Sequence, residues 1–123
     1  MNLKVETIEI LKAHKKTFKD IKWIGGTDFT IPTELFWELA DKDYDEGFGV
    51  TEVADDLVIV GDDWWLERAE YDGAEWWEFK TLPTKPSVEK EVITVIKCHG
   101  YRETLREIDE KEREYRRKEN DLL

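Results

Sequence analysis

Asp55-Asp-Leu-Val-Ile-Val-Gly-Asp-Asp-Trp-Trp-Leu-Glu-Arg-Ala-Glu-Tyr-Asp-Gly-Ala-Glu-Trp-Trp-Glu-Phe-Lys80 is the stretch that decides the fold. It holds four of the six tryptophans and the clearest turn signal in the chain, Asp72-Gly73. Both central residues of a type I′ turn need positive φ, which Gly adopts freely and Asp tolerates. The flanking runs are rich in aromatic and β-branched residues, as strands are. The stretch therefore predicts a three-strand antiparallel meander: Leu57 to Val60, Trp64 to Tyr71 and Ala74 to Lys80.

The turn also fixes a register. Pairing Tyr71 with Ala74 sets Glu70 opposite Glu75, Ala69 opposite Trp76, Arg68 opposite Trp77, Glu67 opposite Glu78 and Leu66 opposite Phe79. Side chains alternate between faces with period two. One face then carries Trp64, Leu66, Arg68, Glu70, Glu75, Trp77 and Phe79, and the other Trp65, Glu67, Ala69, Tyr71, Trp76, Glu78 and Lys80. Each Trp-Trp doublet gives one ring to each face. Opposed like charges cost roughly 0.2–1 kcal/mol per pair, and two such glutamate pairs flank the turn, where Arg68 relieves the first diagonally and Lys80 the second. The base of the hairpin, with Leu57, Ile59, Trp64, Leu66, Trp77 and Phe79, reads as core. Its tip reads either as a solvated hairpin end whose aromatic packing tolerates the repulsion or as an acidic finger for a basic partner, with Glu67, Glu70, Asp72, Glu75 and Glu78 as charge contacts and Trp65, Tyr71 and Trp76 as anchors, since aromatic residues dominate binding hot spots.

Charge is segregated along the chain. Of the formal −11, residues 28–78 contribute −15, because only Lys42 and Arg68 stand there against seventeen carboxylates. A block of that sign projects a negative potential that repels nucleic acid and anionic lipid and attracts basic surfaces, phosphate-binding channels among them. With 123 residues the chain is expected to form a single domain with one core, residues 110–123 projecting as a charged helix. No apolar run approaches the ~18 residues of a membrane span. The N-terminus lacks the apolar core of a signal peptide, and the lone Cys98 leaves no internal disulfide. These features predict a reducing cytoplasm.

The remaining elements follow from periodicity. Val5, Ile8, Leu11 and Phe18, with Ile10 alongside, predict a first helix over Val5 to Lys16. Ile21–Ile24 and Phe29–Ile31 read as short strands about the Gly25-Gly26 turn, and Pro32 opens a helix to about Asp41 with Leu35, Phe36 and Leu39 inward. Thr51–Asp55 predicts one helical turn. Val92-Ile-Thr-Val-Ile96 favours a strand pairing with the meander, a helix over 88–98 being the alternative. Tyr101 to Asn120 predicts a long charged helix laced by Glu107–Lys111, Asp109–Arg113, Glu112–Arg116 and Glu114–Lys118 pairs. The fold class is thus α+β: an antiparallel meander of three to five strands packed by an N-terminal helix, a short central helix and a long charged C-terminal helix.

No catalytic signature stands out. Ser87 is the only serine, and Cys98-His99 would point to opposite faces of a strand, so no enzymatic activity is expected. The acidic loop resembles a calcium-binding loop of the EF-hand type. Counting Asp41 as position one places Asp43 at three, Asp45 at five, Phe48 at the apolar position eight and Glu52 at twelve. Glu46 replaces the glycine of the sharp turn, Gly47 comes one place late, and strand-like Leu57–Val60 stands where an exit helix belongs. No other cofactor is implied.

The run Asp56-Leu-Val-Ile-Val-Gly-Asp-Asp-Trp-Trp-Leu-Glu-Arg68 with Glu70-Tyr-Asp-Gly-Ala-Glu-Trp-Trp-Glu-Phe-Lys80 resembles small acidic proteins of phages and conjugative elements in Gram-positive bacteria. That group overlaps in size and acidity with anti-CRISPR and anti-restriction proteins. The resemblance implies an inhibitor, a DNA mimic that blocks DNA binding or cleavage by a type II CRISPR nuclease, and it carries over no functional residues. Two other classes remain open: a structural, assembly or regulatory protein of a phage or mobile element, and a calcium-binding module using residues 41–52.

Overall fold

A computed structural model describes residues 1–45 and 49–121. It forms two compact units, Met1–Pro83 and Thr84–Leu123. The class is α+β. The first unit holds a five-stranded antiparallel sheet in the order β2-β1-β3-β4-β5, from β1 (Trp23–Gly25), β2 (Thr30–Ile31), β3 (Val58–Val60), β4 (Trp64–Tyr71) and β5 (Ala74–Thr81). With it go helices α1 (Leu3–Ala13) and α2 (Thr33–Ala40); the second unit holds α3 (Leu105–Asp121). No helix among the described residues is long and apolar enough to cross a membrane.

The meander has the register that the turn implies, from Tyr71 opposite Ala74 through Trp64 opposite Thr81. Asp72 and Gly73 both have positive φ, 49° and 86°, so the turn is of the primed type whose twist suits flanking strands. β3 then sets Ile59 opposite Leu66, and β1 sets Ile24 opposite Ile59. This row of Ile24, Ile59 and Leu66 is wholly buried and runs through the core with Leu11, Phe36, Ala40, Trp64 and Trp77. Gly61, between β3 and β4, has no room for a side chain because the Trp64 indole lies 2.2 Å from where a Cβ would stand.

Two helices keep only part of the face that periodicity suggests: Leu11 and Phe36 are in the core as expected. In α1, Thr7 and Leu11 are buried and Leu3 and Ile10 pack on the core, while Val5 is 47% exposed. The governing contacts are polar and aromatic. Thr7 lies under the Trp77 indole, and His14 stacks on Phe79 at 3.9 Å. Asn2 caps the helix start through its Oδ1 and the Val5 N–H, 3.0 Å, and Lys15 at φ 58° ends it with the Lys16 N–H on the Leu11 carbonyl at 2.8 Å. In α2, Phe36 and Ala40 are buried, whereas Leu35 and Leu39 stand 41% and 53% exposed. Pro32 is the N-cap rather than a helical residue.

The strand expected at Val92–Ile96 is absent, and so is the alternative helix over 88–98. The sheet takes its fourth and fifth strands from β1 and β2, and among the described residues of the second unit there is no strand for the segment to pair with, so it has no ladder to join. Thr51–Asp55 forms no helix; Val53 is a bend and a turn begins at Asp55, with the Leu57 N–H on the Ala54 carbonyl at 3.2 Å and the Thr51 hydroxyl on Asp55 at 3.2 Å. Along α3 the Asp109–Arg113, Glu112–Arg116 and Glu114–Lys118 pairs form at 2.9, 3.6 and 3.4 Å. Lys111 turns instead to Glu103. Lys90 reaches Asp109 at 2.8 Å, and that bond, with Arg113, holds the Asp109 carboxyl below its ordinary value against desolvation.

Candidate functional site

The β4–β5 hairpin divides the predicted site residues between two environments. Its inward face is closed by one ion cluster. The Arg68 side chain, 4% exposed, donates through Nη2 to Glu75 at 2.9 Å and to the Tyr44 hydroxyl at 3.2 Å, and through Nη1 to Glu6 at 3.4 Å. Its guanidinium lies 4.8 Å from the Trp77 ring centre and 5.5 Å from that of Tyr44. Arg68 Nε has no hydrogen-bond partner among the described residues. Glu6 accepts the Trp77 backbone N–H at 3.1 Å, so α1 satisfies a donor on the outer edge of β5. Glu6 also accepts the Tyr44 O–H. Burial first, then that bond, pushes the Tyr44 phenol up to about 12.

Glu75 is therefore not a free charge for a partner. Its residue is 3% exposed, and besides Arg68 its carboxylate accepts the backbone N–H groups of Glu52 at 2.7 Å and Val53 at 3.2 Å. It pins the acidic loop to the sheet. The opposed Glu70–Glu75 pair is tolerated because Glu75 turns inward to the guanidinium while Glu70 stays in solvent.

The outward face is different. Cross-strand neighbours line up as Trp23–Val60–Trp65–Lys80, Val58–Glu67–Glu78 and Ala69–Trp76. Trp23 is 40% exposed, Trp76 37% and Tyr71 77%, with Trp65 half-buried between them. Lys80 bridges Glu78 at 3.3 Å and Glu67 at 4.0 Å, at the weak end of exposed pairs. Glu70 and Asp72 are exposed at the tip. Of the eight predicted contact residues, Trp65, Glu67, Tyr71, Trp76 and Glu78 thus share one face, Glu70 and Asp72 edge it, and Glu75 belongs to the core. Trp23, Val58 and Val60 join that face. Val58 and Val60 follow from β3 pairing with β4, whereas Trp23 has no local signal, because nothing in the sequence tells that β1 lies beside β3.

The acidic loop is bound up with the N-terminal residues. Asn2 bridges to Asp43 in antiparallel fashion, its side chain reaches Asp41 Oδ1 at 3.1 Å, and the Tyr44 N–H bonds the Met1 carbonyl at 2.8 Å. Glu52 Oε2 accepts the Asp45 N–H at 2.9 Å. Asp41, Asp43, Asp45 and Glu52 do not gather into a ligand set; among the described residues no group of three His, Cys, Asp or Glu is placed to hold a metal. Glu46, Gly47 and Phe48 lie outside the described residues. β3, not a helix, follows the loop. Beside the hairpin tip a cavity of about 470 Å³ is lined by residues that include Val50, Val53, Asp55, Glu70 and Glu75.

Comparison of the chain with protein-family models, with curated proteins and with solved structures finds no match.

Proposed function

We propose that this chain is a binding inhibitor that covers a basic surface of a host-defence nucleic-acid enzyme, a type II CRISPR nuclease being the form that the resemblance implies. The observation that supports it is the outward face of the hairpin: Trp76, Tyr71 and Trp65 in a field of Glu67 and Glu78, with Asp72 at the turn and Glu70 exposed beside it on the opposite face, within a segment of net −15. Carboxylates on a hairpin stand where phosphates would in the enzyme's channel, and the aromatic rings add the desolvated anchors that charge alone lacks. The chain acts by occupancy, without chemistry, cofactor or calcium, in the cytoplasm of a bacterial host.

The test is complex formation on gel filtration with a panel of guide-loaded nucleases across a salt series. Counterion release gives binding that weakens steeply with salt. An affinity independent of salt would remove phosphate mimicry from the account, and the absence of any complex would remove the inhibitor.

A further inference from the structure

Residues 92–96 read Val-Ile-Thr-Val-Ile, five β-branched side chains in succession. Such side chains favour extended, paired backbone. The structure nevertheless leaves the segment outside any strand, and no backbone N–H or C=O of residues 91–97 has a hydrogen-bond partner among the described residues. Val92 and Ile96 are 69% and 77% exposed. An apolar segment with both backbone edges open is a template for strand addition.

The flanks indicate which strand it takes. Antiparallel pairing of the segment with itself about Thr94 sets Val92 opposite Ile96, Ile93 opposite Val95 and Glu91 opposite Lys97, each twice by symmetry. Parallel, in-register pairing would set Glu91 against Glu91 and Lys97 against Lys97. Only the antiparallel arrangement is complementary in both size and charge, which is what an isologous two-fold contact demands. Lys90, on the N-terminal flank, is tied to Asp109 of α3, and Gly100 beyond the other flank is tied to Glu103, so the ends are held while the middle stays open.

We propose that residues 91–97 pair antiparallel with the same residues of a second copy, making the protein a two-fold homodimer. A two-stranded ribbon is a modest interface, so the dimer forms as concentration rises rather than being obligate. The contact is independent of the inhibitor reading, because it uses no hairpin residue.

Light scattering and sedimentation equilibrium on the full chain test it. The mass climbs from monomer toward dimer with concentration. E91K and K97E each place two like-charge pairs in the ribbon and raise the dimer dissociation constant about tenfold, while E91K/K97E restores it. Both residues are exposed, so the variants keep the native circular dichroism. In a C98A background, T94C cross-links to itself under mild oxidation and V95C does not, because residue 95 faces residue 93. A monomeric mass at every concentration overturns the proposal. So does a dimer indifferent to E91K and K97E, a double variant no better than the singles, or V95C cross-linking as well as T94C.

Discussion

Replacing Arg68 by Met keeps the aliphatic stem and removes the one cation between Glu6 and Glu75. The side chains of Arg68, Glu75 and Glu6 are 4%, 2% and 11% exposed, so water does not take over the lost contact. Breaking a buried pair by removing one partner costs about 3–5 kcal/mol. The lower end applies here, because Glu75 keeps the Glu52 and Val53 N–H donors and Glu6 keeps those of Trp77 and Tyr44. We expect a loss of about 3 kcal/mol, a large part of the 5–15 kcal/mol of a typical domain, and a Tm lowered by roughly 10–20 °C. Urea unfolding followed by tryptophan fluorescence reads it directly, since Trp77 lies under the guanidinium. R68M/E6Q/E75Q should recover at least half of the loss, because the stranded charges go with the cation. A loss under about 1 kcal/mol for R68M, or a triple variant weaker than R68M, would show that the cluster behaves as a surface ion pair.

Three further outcomes follow from named contacts. The Tyr44 phenol is raised from 10.0 to about 12. Its contribution to stability is therefore full below pH 10, where the unfolded phenol begins to ionise, and is lost as pH rises toward 12; Y44F should flatten stability over that window and remove the absorbance step near 12. The Trp77 indole N–H donates to the Thr7 hydroxyl at 2.8 Å inside the core, so T7V leaves a buried donor unpaired and costs about 1–3 kcal/mol by chemical denaturation. G61A brings a methyl group into the Trp64 ring and costs about 1–3 kcal/mol, with a shifted Trp64 environment in near-ultraviolet circular dichroism.

The parts of the fold legible in the sequence are those specified locally. Asp72-Gly73 fixes its own turn type, that turn fixes the pairing from Trp64 to Thr81, and the alternation then sorts each Trp doublet between faces. Diagonal relief of the glutamate pairs by Arg68 and Lys80 was equally readable, since it needs only the register. What escaped was set by distant partners. The buried face of α1 keeps Leu11 of the predicted stripe but is turned away from Val5 by Trp77, which holds Thr7 and Glu6 from seventy residues away or more. The role of Glu75 depended on two N–H groups of a loop whose path no local rule gives. The strand at 92–96 failed for the converse reason: its propensity is strong, but no neighbouring strand of its own unit completes the ladder.

In the proposed function, the outward face of the β4–β5 hairpin displaces nucleic acid from a basic enzyme surface. The most direct measurement is target cleavage by guide-loaded nucleases with excess wild-type chain or with a variant carrying E67K, E70K, D72K and E78K, whose exposed or half-buried positions leave the core alone. The expected result is protection of the target by the wild type, weakened about thirtyfold or more by W76A and abolished by the four lysines. Full cleavage across the panel at large excess of wild type, or equal protection by the four-lysine variant, would contradict it.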